Sequence, residues 1–168
     1  MKSTHIDQQQ EVVNGWLSSL GAGQGGVLND QGSCVLVADN EISLMISSPS
    51  GSQQVAVSTH LLNLPISLSP RLYEELLALN LDLKFTKGTC LFFDKKMRIL
   101  GLLVSREIAN LDSISFRNLL DNFKEKALET KIFLEDLLYG GTDLAHAMHH
   151  TDAYLHHSGH AVRSGEQA

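Results

Sequence analysis

The densest apolar pattern of the chain lies at residues 88–105, which read as two strands joined by a tight charged turn at 94–97. Each strand is apolar on both faces: in the first, Leu91 and Phe93 alternate with Cys90 and Phe92. A hairpin with one wet face would alternate apolar with polar residues. Leaving four large apolar side chains in water would forfeit about 6–12 kcal/mol. We therefore expect a cover on each face, one of them supplied by a second subunit or a bound partner.

Three segments carry apolar residues at helical spacing. The first spans 4–20 and is followed by Gly21, a residue that commonly ends helices. The second begins at the Ser-Pro pair 69–70, where serine can cap and proline can occupy the first turn. The third is long, begins after Asp112 and ends at the glycine pair 140–141.

Three further strands lie between the first two helices, at 34–38, 42–46 and 53–59. Their short connections, such as the Ser/Pro/Gly-rich run 47–52, make neighbouring strands antiparallel. The predicted fold is α+β: an antiparallel twisted sheet of about five strands with three helices, in the order α-β-β-β-α-β-β-α.

The chain has 168 residues, a formal net charge of −6 and a pI of about 5.7. This acidic balance argues against nucleic acid as a partner, and no apolar run is long enough for membrane insertion. We expect one domain over 1–140 and a flexible tail over 141–168 that holds six of the eight histidines. Cys34 and Cys90, both in apolar strands, are expected to be buried thiols, which suits a reducing cytoplasm.

Candidate chemistry is sparse. Cys90 and His60 could form a nucleophile and base, but a packed thiol explains Cys90 better, and none of the common hydrolase or redox motifs is present. We expect no enzymatic activity and no cofactor. In the tail, His146 and His150 are spaced for one helix face and could bind zinc, although a solvated tail is favoured over a metal site.

A set of hydrophobic spacings with Gly and Asn markers resembles the class I type III secretion effector chaperones, the Tir chaperone family. The resemblance covers residues 5–138. The matching residues are Leu76-Leu77-x-Leu79-Asn80, Gly88-x-x-Leu91-x-Phe93-Asp94, Ile99-Leu100-x-Leu102, Leu111-Asp112, Leu119-Leu120-x-x-Phe123 and Ala127.

The resemblance implies a bacterial, cytoplasmic homodimer involved in virulence and protein secretion. Such dimers bind the N-terminal chaperone-binding segment of one or more effector proteins, keep it extended and soluble, promote its secretion and can hand it to the secretion ATPase. An alternative from another class is a small α+β scaffolding or regulatory module that binds folded partners. The form of the bound client separates the two.

The resemblance also suggests where the surfaces lie. The second helix and the hairpin would form the dimer interface, and the first helix, the sheet and the last helix would frame the effector grooves. All these residues could equally be ordinary core, because apolar periodicity does not separate core from interface. The dimer candidates are Leu72, Leu76, Leu79 and Phe92. The effector-binding candidates are Trp16, Leu17, Leu20, Leu44 and Ile46.

Overall fold

The computed structural model describes residues 7–21, 26–37, 42–65 and 69–139. In chain order the elements are α1 Gln8–Ser19, β1 Ser33–Val37, β2 Ser43–Ser47, β3 Gln54–Asn63, α2 Pro70–Leu79, α3 Leu83–Thr86, β4 Cys90–Asp94, β5 Ile99–Glu107, a 3-10 turn Ile108–Asn110 and α4 Ser113–Tyr139. The chain divides into two compact units, 1–130 and 131–168, and only the helical residues 131–139 of the second are described. The predicted tail at 141–168 lies outside the described residues.

The five strands form one antiparallel sheet in the order β1-β2-β3-β5-β4, which confirms the predicted α+β class. Two details differ from the prediction. Strand β3 runs on to Asn63, because a bulge between His60 and Leu62 brings Leu62 opposite the buried Leu100. A short additional helix, α3, begins where the Asp82 carboxylate accepts hydrogen bonds from two backbone amides.

One face of the sheet, called the inner face below, is buried in the core. Leu44 lies opposite Thr59 and Ile46 opposite Val57 across β2 and β3, and all four side chains are buried. The buried side chains of the inner face are Cys34, Leu44, Ile46, Val55, Val57, Thr59, Leu62, Leu91, Leu100, Leu102 and Val104. Buried residues of α1, α2 and the first part of α4 also belong to the core, and the rings of Trp16 and Phe116 lie 5.2 Å apart.

Polar contacts fix the start of α1 to the turn between β2 and β3. Asp7 caps the helix: Oδ1 accepts from the Gln10 amide at 2.9 Å, and Oδ2 accepts from the Gly51 amide at 2.6 Å. The buried Gln10 side chain donates through Nε2 to the Ser48 carbonyl at 3.0 Å. The same carboxylate therefore serves a helix end and a hairpin turn.

The two helix-capping carboxylates predict how stability depends on pH. Hydrogen bonds, from Gly51 and then Gln10 for Asp7 and from Ser115 for Asp112, lower both pKa values. A lowered folded-state pKa stabilises the fold above the unfolded pKa, and this contribution is lost as pH falls through the folded pKa. As pH falls below about 5, we expect the free energy of unfolding to decrease less in a variant with Asp7→Asn and Asp112→Asn than in wild type.

Urea unfolding at a series of acidic pH values measures this difference. Asp121→Asn, at an exposed position on α4, is the control and should follow wild type. Identical acid slopes for wild type and the double variant would show that the two caps do not contribute.

Candidate functional site: the open face and the two edges of the sheet

The outer face of the sheet, opposite the inner face, carries a row of mostly apolar side chains across all five strands. Successive strand pairings place Val35 beside Met45, Met45 beside Ser58, Ser58 beside Leu103, and Leu103 beside Cys90. Val35 is 53% exposed and Met45 48% exposed. The part of the chain that the structure describes thus buries one face of the central hairpin and leaves much of the other accessible.

The prediction that Cys90 is a buried thiol is wrong. Cys34 is buried, and burial raises the pKa of its thiol, whereas Cys90 is exposed on the outer face. His60 is also exposed, and it lies opposite Gly101 while Cys90 lies opposite Leu103. Strand β5 therefore stands between the two, and no hydrogen bond joins them. The arrangement gives no support to a nucleophile and base.

Gly101 lies directly opposite Phe92, and this close approach requires glycine. A Cβ at position 101 would overlap the Phe92 ring and would lie 2.6 Å from the Thr59 carbonyl oxygen. Phe92 consequently packs across the β5 backbone and is only half-buried. This placement keeps an aromatic ring at the surface of the outer face.

The predicted dimer residues fall into two groups. Leu76 and Leu79 are buried within the single chain, while Leu72 and Phe92 are half-buried. Tyr73, the neighbour of Leu72, stacks near Phe93 with ring centroids 5.4 Å apart. The ring contact attaches α2 to the hairpin within the single chain, and the predicted role of these residues in a dimer interface stays a prediction.

The leucines that this region exposes were not singled out from the sequence. Leu77 is 67% exposed, Leu81 84% and Leu83 80%, which makes an exposed leucine patch on α2, α3 and their connection. Leu77 lies on a different side of α2 from Leu76 and Leu79, and Leu81 follows the end of the helix. A helix with leucine on two sides does not reveal which side faces the core.

The predicted effector-binding residues lie mostly beneath the surface. Trp16, Leu17, Leu44 and Ile46 are buried, and Leu20 is half-buried. The structure places Leu44 and Ile46 side by side on the inner face, so that the residue between them, Met45, points outward. In the single chain these residues support the accessible surface rather than form it.

The first edge of the sheet is β1, and its backbone direction follows from one hydrogen bond. The Ser48 amide donates to the Gly32 carbonyl at 2.7 Å, so the backbone groups of Gly32 point towards β2. Because pairing alternates along an antiparallel strand, the backbone groups of Ser33, Val35 and Val37 point away from the sheet. Val37 is also 85% exposed through its side chain.

Only the start of this edge is closed. Asn29 hydrogen-bonds both backbone groups of Ser33. Its side-chain Oδ1 accepts from the Ser33 amide at 3.1 Å, and its backbone amide donates to the Ser33 carbonyl at 2.8 Å. Within the described ranges, no group hydrogen-bonds the outward backbone groups of Val35 and Val37. These two residues therefore offer successive donors and acceptors to another strand.

The opposite edge, β4, is closed differently. The Asn80 side chain donates through Nδ2 to the Leu91 carbonyl at 3.1 Å and accepts through Oδ1 from the Leu91 amide at 2.7 Å. The backbone groups of Leu91 therefore point away from the sheet at this edge, and those of Phe93, two residues further on, do the same. Of these two, Phe93 alone keeps outward backbone groups without a partner among the described residues. The two edges of the sheet are unequal.

A basic residue is enclosed where α3 meets α4. The Lys126 ammonium lies 4.6 Å from the centre of the Phe85 ring and 3.4 Å from a carboxylate oxygen of Glu129, which Lys87 also approaches at 3.9 Å. Burial lowers the Lys126 pKa, and Glu129 opposes this effect. The arrangement connects α3 to α4 and presents no free catalytic group.

No metal cluster was found in the described ranges, where no three His, Cys, Asp or Glu side chains are placed to hold an ion. The candidates His146 and His150 lie outside those ranges. Among the described helices, none has the length and apolar character needed to span a membrane.

Comparison with known proteins gives the class and then the family. Exposed apolar surface, such as the outer face of the sheet and the exposed leucines, is typical of proteins that bind other polypeptides. The model of the Tir chaperone protein (CesT) family matches residues 15–131, and the chain belongs to this family. That membership confirms the predicted class, a type III secretion chaperone for effector proteins.

Solved structures share the fold at low sequence identity. A chain of the ExsC-ExsE complex aligns with a TM-score of 0.61 and 18% identity, covering 82% of this chain and 100% of that one. A chain of the HopA1-SchA chaperone-effector complex gives 0.54 and 21%, covering 75% and 94%. The Yersinia pestis chaperone SycH in complex with a fragment of YscM2 gives 0.53 and 16%, covering 73% and 98%. A search of curated proteins found no match.

Proposed function

We propose that the chain is a cytoplasmic, homodimeric chaperone of a bacterial type III secretion system. It binds the N-terminal segment of one or more effectors in extended form, keeps that segment soluble and promotes its secretion without catalysing a reaction. The observation that carries the proposal is the open β1 edge at Val35 and Val37 beside the exposed apolar row of the outer face. The solved relatives that are complexes of chaperones with effectors support it.

An extended client fits this surface in two ways at once. Its backbone pairs with the outward groups of Val35 and Val37, and every second side chain then lies on the outer face beside Val35 and Val37. Because an unfolded client loses entropy on ordering, it must bury a large apolar area to bind well. Leu20, half-buried at the C-cap of α1, stays in the proposal as an effector contact, while the buried Trp16, Leu17, Leu44 and Ile46 form part of the core beneath the sheet.

The homodimer is proposed to form through α2, α3 and the hairpin. The exposed leucine patch of Leu77, Leu81 and Leu83 would supply the contact, continued by the half-buried Leu72 and Phe92. A soluble acidic chain gains by covering such a patch with a second copy. Transfer of the client to the secretion ATPase is part of the proposal, although no described residue is assigned to that contact.

Limited proteolysis of the complex tests the proposed function. The effector is first identified by affinity capture from the native bacterium and then co-purified with the chaperone. We expect its N-terminal segment to be protected from protease in the complex while its hydrogen-exchange pattern shows extended backbone and no globular core. Protection of a folded domain instead would support the alternative, a scaffolding module.

A pair of variants connects the binding to the β1 edge. Val37→Pro removes the outward amide but leaves the pairing with β2 intact, because the proline ring faces away from the sheet. We expect it to weaken client binding about tenfold, which corresponds to about 1.4 kcal/mol. Val37→Ala keeps the amide and should weaken binding less, as measured by calorimetry. Equal affinities for wild type and Val37→Pro would remove the β1 edge from the proposal.

A further inference from the structure

A side-chain amide carries the same donor and acceptor as a peptide group. The Asn80 amide uses both on one residue, Leu91, with distances of 2.7 and 3.1 Å. It therefore does at the β4 edge what one residue of an added strand would do.

The position of Asn80 is set by the fold. It is the C-cap of α2, and its own amide bonds to the Leu77 carbonyl at 3.1 Å, so the side chain leaves from a fixed helix end. The side chain itself is only half-buried, at a sheet edge where water could satisfy Leu91 equally well. The need to hydrogen-bond the Leu91 backbone therefore does not by itself explain why an asparagine stands at position 80. An edge strand with successive unpaired groups is a template for pairing with another chain.

We infer that Asn80 closes the β4 edge against strand addition and so makes the sheet one-sided. With Leu91 occupied, β4 offers only the isolated backbone groups of Phe93, whereas β1 offers the successive groups of Val35 and Val37. The closure keeps copies of this chain from joining edge to edge. Its consequence for an extended effector, which is left with β1 alone, rests on the proposed function.

Self-association of Asn80→Leu tests the inference without any client. Leucine has nearly the shape of asparagine but neither donor nor acceptor, so Leu91 and Phe93 together become an open edge. We expect sedimentation velocity to show a shift to larger species with rising concentration, and infrared spectra to show added intermolecular strand. Asn118→Leu places the same side chain at an exposed position on α4 and should sediment as wild type.

A rescue variant separates edge pairing from loss of fold. Lysine on an edge strand opposes strand addition, so Asn80→Leu combined with Phe93→Lys should return to the wild-type sedimentation profile. Larger species that persist in the combined variant would overturn the inference. So would an Asn80→Leu protein with wild-type circular dichroism and sedimentation.

If Asn80→Leu loses its circular dichroism signal, Asn80→Ala opens the same edge without adding a large apolar group, and the same two outcomes apply to it. The proposed function can fail independently of these results. A chain that binds no effector but self-associates on losing Asn80 contradicts the proposed function and supports the closed edge.

Discussion

Replacing Leu77 and Leu81 together with aspartate is expected to convert the proposed dimer into a folded single chain. Both side chains are exposed in one copy, at 67% and 84%, so carboxylates there remain in water and the fold is unaffected. In a dimer built on the leucine patch, two copies lose four leucines from the contact. At about 1.5–3 kcal/mol for each buried leucine, the loss is about 6–12 kcal/mol, enough to abolish association at micromolar concentration.

Light scattering coupled to size exclusion measures the mass, and circular dichroism checks the fold. Ile114→Asp is the matched control, because this residue is 69% exposed on α4, away from the patch. It should leave the dimer intact. Leu76→Asp should instead unfold the chain, since Leu76 is only 4% exposed. An unchanged dimer in the Leu77 and Leu81 variant would place the interface elsewhere.

Substitution of Gly101 by valine is expected to destabilise the domain by about 3 kcal/mol or more. The new side chain would overlap the Phe92 ring and press on the Thr59 carbonyl oxygen, and the latter is backbone that cannot rotate away. Since small domains are stable by about 5–15 kcal/mol, much of the stability would be lost. Thermal and urea unfolding measure the change.

The control for this prediction is Gly15→Ala. No atom lies within 4 Å of a Cβ at this exposed helix position, so alanine should stabilise by about 1 kcal/mol. A double-mutant cycle with Phe92→Ala then isolates the ring contribution. Gly101→Ala should be less harmful when Phe92 is already alanine. Equal costs in both backgrounds would show that the ring does not constrain position 101.

Patterns of period two predicted the sheet well because one face of it is buried. Leu44 and Ile46 alternate with polar or exposed positions along β2, as Val55 and Val57 do along β3, and all four are buried. The start of α2 was also predicted from the sequence. Ser69, which precedes a proline, was expected to cap the helix, and its side chain accepts a hydrogen bond from the Leu72 amide. In each case the signal lies within a few residues of its effect.

The remaining features depend on contacts between distant residues. Helix α3 is four residues long, too short for periodicity to reveal. The end of β3 depends on a bulge that keeps Leu62 opposite Leu100. Cys90 looked buried because its neighbours are apolar, but the fold leaves its face of the hairpin open. For the same reason, the sequence could not separate Leu77 at the surface from Leu76 in the core.

The strand order has a consequence for synthesis on the ribosome. Strands β1, β2 and β3 are consecutive and can pair as soon as each emerges, but the central neighbour of β3 is β5, which ends at Glu107. Until that residue leaves the exit tunnel, the ten residues of β3 form an unpaired edge strand of an incomplete sheet. Nascent chains of this protein therefore pass through an aggregation-prone stage of about 2–9 s at ordinary elongation rates, the time needed to add the 44 residues from Leu64 to Glu107.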